Sequence, residues 1–175
     1  MILIGLYIVF FLFPDNYITT RGLTTTTVIV TVGKPLIIFD LNGVLLHAIH
    51  KSSLQKRSMK SPGIYPDIET STKIYFLCPG FIEFFEKCFS TFEVGIWTSA
   101  QKKNVDEFLP LLFRKTGLRR EQFRVILTQD KCCPTQRQGY DGNVGNPYVH
   151  LKPLNKVWEI LIDGYDDRNT VIVDD

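Results

Sequence analysis

The chain of 175 residues carries 20 lysines and arginines against 18 aspartates and glutamates, so its formal net charge is +2 at pH 7. This near balance excludes the strongly basic composition of a general polyelectrolyte binder, and we expect no direct nucleic-acid binding. The four cysteines form no C-x-x-C pair and the three histidines show no metal-ligand spacing. Neither a zinc site nor a disulfide framework is therefore predicted, and reduced thiols in an intracellular compartment are expected.

The chain begins with an almost wholly apolar run, MILIGLYIVFFLF. A membrane-spanning helix needs about 20 such residues, and a signal peptide needs an early positive charge and a small-residue cleavage site. The run is shorter than such a helix and has neither the positive charge nor the cleavage site. A membrane anchor, a poor signal peptide and a stretch missing from the mature protein all stay open. We favour the last and treat residues 1–33, with a strand predicted at 28–32, as an extension. The length of the remainder, 34–175, suits one domain.

Apolar strands and amphipathic helices are predicted in alternation from residue 34 onward. The strands are LIIF, EVGIWTS, FRVILT and TVIV, starting at residues 36, 93, 123 and 170, and the helices span 79–92, 101–117 and 152–164. Residues 51–73 are predicted to form an excursion or loop because they are polar and contain two prolines. Residues 129–150 are predicted to be rich in loops. The alternation predicts an α/β fold with a mainly parallel sheet and helices on both faces.

Polar side chains follow several of the predicted strands. Asp40 ends LIIF, Thr98 ends the second strand, and Asp174 and Asp175 end the last, while Lys152 opens the last predicted helix. Ligands of an open parallel sheet bind beyond the carboxyl ends of its strands, so these side chains are expected to converge. Any one of them alone is uninformative, because aspartate is common at strand ends and helix caps.

This set of side chains suits phosphoryl transfer. Paired carboxylates bind Mg²⁺, a carboxylate can attack phosphorus, and a hydroxyl and an ammonium can hold the phosphoryl oxygens. Bacterial receiver domains use similar residues, but their acid pair comes first and their lysine last. Here a single acid comes first and the pair comes last, so a receiver domain is disfavoured.

Four segments carry a family resemblance: FDLNGVLLH, PGFIEFFEKCFSTFEVGIWTSA, YVHLKPLNKVW and NTVIVDD. They resemble the four motifs of the haloacid dehalogenase superfamily, and more narrowly those of its CTD-phosphatase branch, the NLI-interacting-factor-like domain. The resemblance covers residues 34–175. It implies a Rossmann-like core without a large cap domain. It also implies a Mg²⁺-dependent phosphatase of phosphoserine or phosphothreonine in proteins, with the C-terminal repeat of RNA polymerase II as the best-known substrate class.

The resemblance also assigns roles to the residues at the strand ends. Asp40 is expected to be the nucleophile and a Mg²⁺ ligand, and the backbone carbonyl of Asn42 a further ligand. Thr98 and Lys152 are expected to hold the phosphoryl group. Asp174 and Asp175 match the metal-binding acidic motif, with Asp175 favoured as the direct ligand. The expected partner is a phosphorylated protein or peptide, and the protein is expected to be a monomer of the nucleus or cytoplasm. Membrane association is disfavoured, although the apolar start leaves it open.

Two departures from the family pattern qualify these expectations. The family usually has aspartate at position 42, where it protonates the leaving alkoxide and later activates water, a contribution of about 10²- to 10⁴-fold. Asn42 cannot transfer a proton in that way, so slow turnover is expected. The chain also ends directly after the acidic motif, where relatives continue with a further helix and usually a strand, so a C-terminally incomplete domain is expected.

Two alternatives to a slow phosphatase stay open. The first is a catalytically impaired pseudophosphatase that binds a phosphopeptide or a partner protein, which Asn42 favours. The second is a subunit of the mitochondrial inner-membrane import translocase, because one such subunit carries a similar domain with a degenerate first motif. The apolar start agrees with that second alternative, but an Arg- and Ser-rich transit sequence is absent.

Overall fold

The computed structural model describes residues 33–56, 65–136, 148–162 and 164–175. The chain divides into two units, Met1–Gly33 and Lys34–Asp175, and the elements below belong to the second. The strand predicted at 28–32 lies outside the described residues. None of the helices in the described ranges is both long enough and apolar enough to cross a membrane.

Nine strands and four α-helices are described in this part of the chain. The strands are β1 (Leu36–Phe39), β2 (Leu46–His50), β3 (Ile68–Glu69), β4 (Lys73–Leu77), β5 (Glu93–Trp97), β6 (Phe123–Leu127), β7 (Cys133–Gln136), β8 (Tyr148–Leu151) and β9 (Thr170–Val173). The helices are α1 (Lys51–Lys56), α2 (Phe81–Thr91), α3 (Lys102–Thr116) and α4 (Asn155–Ile160). Short 3₁₀ turns precede β6 and β7.

A four-stranded parallel sheet in the order β6-β5-β1-β9 forms the centre of the fold. Strand β1 pairs with β5 on one side and with β9 on the other. All four of its residues are buried, as expected for a parallel strand covered on both faces. The parallel sheet and its alternation with helices confirm the α/β prediction.

Helices cover both faces of this sheet. Because successive strand residues point to opposite faces, Leu36 and Ile38 cluster with Val157 of α4, whereas Phe39 contacts α2 on the other side. Helix α3 lies on the α2 side, where Phe113 stacks on Phe123. Within the described residues, no large cap domain covers the carboxyl edge of the sheet.

Helix α3 follows its sequence pattern closely. The four residues at helical spacing, Val105, Phe108, Leu109 and Leu112, are all buried. Gly117 ends the helix in the left-handed conformation, and its N–H donates to the Phe113 carbonyl at 2.9 Å. A glycine suits this position because it has no Cβ to strain a left-handed cap.

A second sheet, of antiparallel strands in the order β2-β4-β3, corrects the predicted loop at 51–73. Helix α1 and strand β3 lie inside that range, and β4 begins at its last residue. Strand β2 follows the end of β1 after a turn in which the N–H of Gly43 donates to the Leu46 carbonyl at 2.9 Å. The polar composition of 51–73 hid α1 and β3, which lie inside it.

Two further sequence predictions differ from the structure. The loop-rich region 129–150 contains the paired strands β7 and β8, and its residues 137–147 lie outside the described ranges. Helix α4 is shorter than the predicted 152–164, so Lys152 precedes it and does not open it. Its apolar face is as predicted: Val157 is fully buried, and Leu154, Trp158 and Leu161 pack around the same cluster.

Phe85 of α2 is the centre of an aromatic cluster. Its side chain is fully buried, and its ring contacts those of Phe39, Phe81, Phe84, Phe89 and Phe123, with centroids 5.0 to 6.1 Å apart. These contacts join α2 to both β1 and β6. Aromatic pairs in such edge and stacked arrangements stabilise a core beyond the area that they bury.

We predict that Phe85→Ala lowers the free energy of unfolding by about 3–5 kcal/mol, because truncation removes these contacts and leaves a cavity. Urea unfolding followed by circular dichroism measures the change. Ile82 lies on the same helix but is 40% exposed, so the control Ile82→Ala is expected to cost less than about 1 kcal/mol. Equal losses in the two variants would contradict the central role of Phe85.

Candidate active site

Asp40 lies at the carboxyl end of the central strand β1 and is 3% exposed. Its backbone N–H donates to the Val173 carbonyl at 2.9 Å, which fixes it against β9. One carboxylate oxygen, Oδ1, accepts the N–H of Leu41 at 2.7 Å, and the other, Oδ2, lies 3.2 Å from the Nζ atom of Lys152. Both oxygens of this buried acid are therefore engaged.

Lys152 connects Asp40 to the last strand. Its Nζ atom lies 2.7 Å from Asp174 Oδ1, and its side chain is only 4% exposed. Burial raises the pKa of Asp40 above its ordinary value, because the loss of water opposes the charged carboxylate more than the Lys152 ammonium and the Leu41 N–H favour it. A buried ammonium between two carboxylates thus links three segments far apart in sequence.

The three acids form a group that fits a divalent cation. Asp40, Asp174 and Asp175 each place one carboxylate oxygen within 4.8 Å of the others. Two oxygens on opposite sides of a Mg²⁺ ion are about 4.2 Å apart, so only a small adjustment would bring all three onto one ion. With three negative charges and the single positive charge of Lys152, the ionised group carries a formal charge of −2. Hard oxygen ligands with uncompensated negative charge favour such a cation.

Thr98 follows β5 at the same edge of the sheet. Phe39 of β1 pairs with Ile96 of β5, so Asp40 and Thr98 both lie just beyond neighbouring strand ends. Thr98 is 2% exposed, its N–H donates to the Leu127 carbonyl at 3.0 Å, and its hydroxyl oxygen accepts the N–H of Ala100 at 3.2 Å. A hydroxyl that accepts one hydrogen bond can still donate its own proton.

Asn42 is exposed, and its side chain is fixed by the second sheet. Its Oδ1 atom accepts the N–H of Ala48 at 2.8 Å. Aspartate could accept the same hydrogen bond with one oxygen, so the local structure accommodates either residue. The structure brings Asp40, Lys152, Asp174 and Asp175 together and places Thr98 and Asn42 beside them; the roles of all six stay predictions.

Gly43 lies against Asp175 of the site, and the sequence analysis did not identify this residue. Its backbone φ is +89°, and a Cβ atom built on it would lie 2.3 Å from Asp175 Oδ2. A glycine is therefore needed both for the turn and for the close approach of Asp175. A glycine three residues after Asp40 was visible, but its contact with the last residue of the chain was not.

The chain is similar to one known protein family and to solved structures of one phosphatase. A family described as NLI interacting factor-like phosphatase matches residues 35–175. No curated protein matches the chain. Two similar solved structures are a variant of the fission yeast RNA polymerase II CTD phosphatase Fcp1 bound to beryllium fluoride, and Fcp1 described as an essential RNA polymerase II CTD phosphatase.

Each of these structures is 18% identical to the chain with a TM-score of 0.47, and each alignment covers 79% of it. The alignments cover 36% and 37% of the solved chains, so the chain spans little more than a third of their length. The match to the family extends from just before β1 to Asp175 and includes every strand of the central sheet. The chain belongs to the NLI interacting factor-like phosphatase family.

Proposed function

We propose that the chain is a Mg²⁺-dependent phosphatase of phosphoserine and phosphothreonine in proteins, and that it reacts through an aspartyl-phosphate. The observation that carries the proposal is the arrangement around Lys152, whose ammonium lies 3.2 Å from Asp40 and 2.7 Å from Asp174. Family membership supports phosphatase chemistry. The name of Fcp1 suggests the C-terminal repeat of RNA polymerase II as the first substrate to test.

The Asp40 carboxylate is the proposed nucleophile. It attacks phosphorus, the bond between phosphorus and the seryl or threonyl oxygen breaks, and the aspartyl-phosphate forms. Lys152 and the Thr98 hydroxyl donate hydrogen bonds to the equatorial oxygens, where negative charge accumulates. Asp40, Asp174, Asp175 and the Asn42 carbonyl would hold Mg²⁺, which neutralises phosphoryl charge when bound. Water then attacks phosphorus, which releases inorganic phosphate and restores the Asp40 carboxylate.

Asn42 limits both steps. The leaving alkoxide needs a proton in the first step, and the attacking water must lose one in the second. An amide supplies neither function, although its Oδ1 atom is held by the Ala48 N–H at 2.8 Å, as an acid at this position would be. We therefore propose slow turnover. A phosphopeptide-binding module without turnover is the second candidate, and the same residue favours it.

We predict that Asp40→Asn lowers phosphate release from a phosphoserine peptide with MgCl₂ by at least about 10³-fold, because the nucleophile is lost. Asp106→Asn is the matched control, since Asp106 is an exposed acid that pairs with Lys102 on the surface of α3. Its rate is expected to be that of the unmodified protein. Equal rates for Asp40→Asn and the unmodified protein would show that the chemistry occurs elsewhere.

Asn42→Asp is expected to raise the rate of phosphate release by at least about 10²-fold, because it restores a general acid and base. The aspartate can keep the hydrogen bond from Ala48. Asn155→Asp, the same exchange at the start of α4, is expected to leave the rate unchanged. A missing gain, together with binding of the phosphopeptide, would favour the binding module over the phosphatase.

Gly43→Ala is expected to weaken Mg²⁺ binding. The new Cβ would lie only 2.3 Å from Asp175 Oδ2, so the Asp175 carboxylate would have to move away. The readout is the rise of the melting temperature with MgCl₂ concentration, since a ligand that binds the folded state stabilises it. Gly80→Ala is the control: Gly80 has a similar φ of +75° but open space around it. Both variants bear the backbone strain, so an equal MgCl₂ response in the two would contradict the role of Asp175.

A further inference from the structure

A cavity of about 200 Å³ lies beside the candidate active site, between the second sheet and the start of α3. Asn42, Thr98 and Ser99 border it on the side of Asp40. A residue held with its phosphate at Asp40 would therefore have its neighbours in the peptide directed along this cavity.

The floor of the cavity is apolar. Tyr75 of β4 and Phe108 of α3 both line it, both are buried, and their ring centroids are 4.3 Å apart. Leu46 and Ala48 of β2 continue the same face, since Leu46 pairs with Leu77 and Ala48 with Tyr75. The aliphatic parts of a bound peptide would lose water against this surface.

Lys73 is the lysine among the residues that line the cavity. It lies on β4 two residues before Tyr75 and therefore on the same face of the sheet. The neighbouring acids have other partners: Glu69 pairs with Lys51 at 2.7 Å, and Glu107 accepts hydrogen bonds from the N–H and the hydroxyl of Ser71. Across the described ranges, no carboxylate lies within ion-pair distance of Lys73.

The register of the second sheet gives the distance from Asn42, beside the candidate active site, to Lys73. Asn42 forms a bridge with Leu46, Leu46 pairs with Leu77, and Lys73 lies four residues along β4 from Leu77. Four strand residues span about 13 Å. An extended peptide covers that distance with about four residues, or with three where the side chains of the anion and of Lys73 span the remainder.

We propose that Lys73 selects phosphopeptides that carry an anionic side chain three or four residues from the phosphorylated residue. The anion is a carboxylate or a second phosphate, and the apolar floor holds the residues between the two charges. This inference rests on the proposed function, because it takes the phosphate to be bound at Asp40. It names Lys73 as a specificity-determining residue, without a part in the chemistry.

The experiment compares kcat/KM for phosphoserine peptides that carry glutamate, a second phosphoserine, lysine or alanine at position −4, −3, +3 or +4. An anionic residue at one of these positions is expected to raise kcat/KM about fivefold over alanine, the effect of one well-placed ion pair. Comparison of the glutamate and phosphoserine peptides identifies the preferred source of charge. The advantage is expected to shrink in high salt, because Lys73 is partly exposed and salt screens its charge.

Charge reversal at Lys73 tests the assignment directly. Lys73→Glu is expected to remove the preference for the anionic peptide and to favour the peptide with lysine at that position, whereas Lys73→Arg keeps the original preference. Lys87→Glu makes the same change in net charge on the exposed surface of α2, outside the cavity, and should change no preference. The kcat/KM for para-nitrophenyl phosphate, which is too small to reach Lys73, should stay the same in all variants.

The outcomes separate this inference from the phosphatase proposal. The inference would be overturned if the protein hydrolyses para-nitrophenyl phosphate but shows no preference for anionic peptides, or shows one that Lys73→Glu does not remove. The phosphatase proposal would stand in that case. If no substrate releases phosphate, the phosphatase proposal fails, and fluorescence anisotropy of the same labelled peptides with MgCl₂ decides the role of Lys73. The role of Lys73 would then be supported if anionic peptides bind with a fivefold lower Kd than alanine peptides and Lys73→Glu removes that difference. Equal affinities for the two kinds of peptide would overturn it.

Discussion

The candidate site depends on one buried ammonium. The Lys152 side chain is 4% exposed and contacts carboxylates at the ends of two neighbouring parallel strands, β1 and β9. An isolated charge at this depth would be costly, and so would Asp40 without its partner. The pair offsets part of that cost and fixes the segment before α4 against the sheet. Asp174 and Asp175 leave an excess of negative charge, which suits the site to a divalent cation and, with that cation, to a phosphoryl group.

The central position of β1 explains why such a site forms at the end of this strand. Neighbours on both sides and helices on both faces cover the strand, so its backbone is rigid and its last residue lies at the centre of the sheet edge. The neighbouring strands β5 and β9 end at the same level and contribute Thr98 and the acid pair. The convergence of residues far apart in sequence is thus a consequence of parallel pairing, which aligns the carboxyl ends of all strands.

The sequence predicted what depends on local pattern and chain order. Apolar runs identified the four strands of the central sheet, helical spacing identified α3, and strand-end reasoning located Asp40, Asp174 and Asp175. The second sheet was missed, because β3 has two residues and β2 and β4 have five each, too few for a clear periodic pattern. The approach of Gly43 to Asp175 was also beyond prediction, since it depends on the pairing of β1 with β9 across the whole domain.

Under the two proposals, the second sheet links turnover to substrate selection. The backbone of β2 holds the Asn42 side chain through Ala48, and β4, paired with β2, supplies Tyr75 and Lys73 to the adjacent cavity. Asparagine and aspartate are nearly the same size and can accept the same hydrogen bond, so the fold itself does not distinguish a fast enzyme from a slow one. What differs is a single transferable proton. Under the proposed function, the sheet therefore keeps a complete surface for a phosphopeptide, while the residue at position 42 sets how quickly that peptide is dephosphorylated.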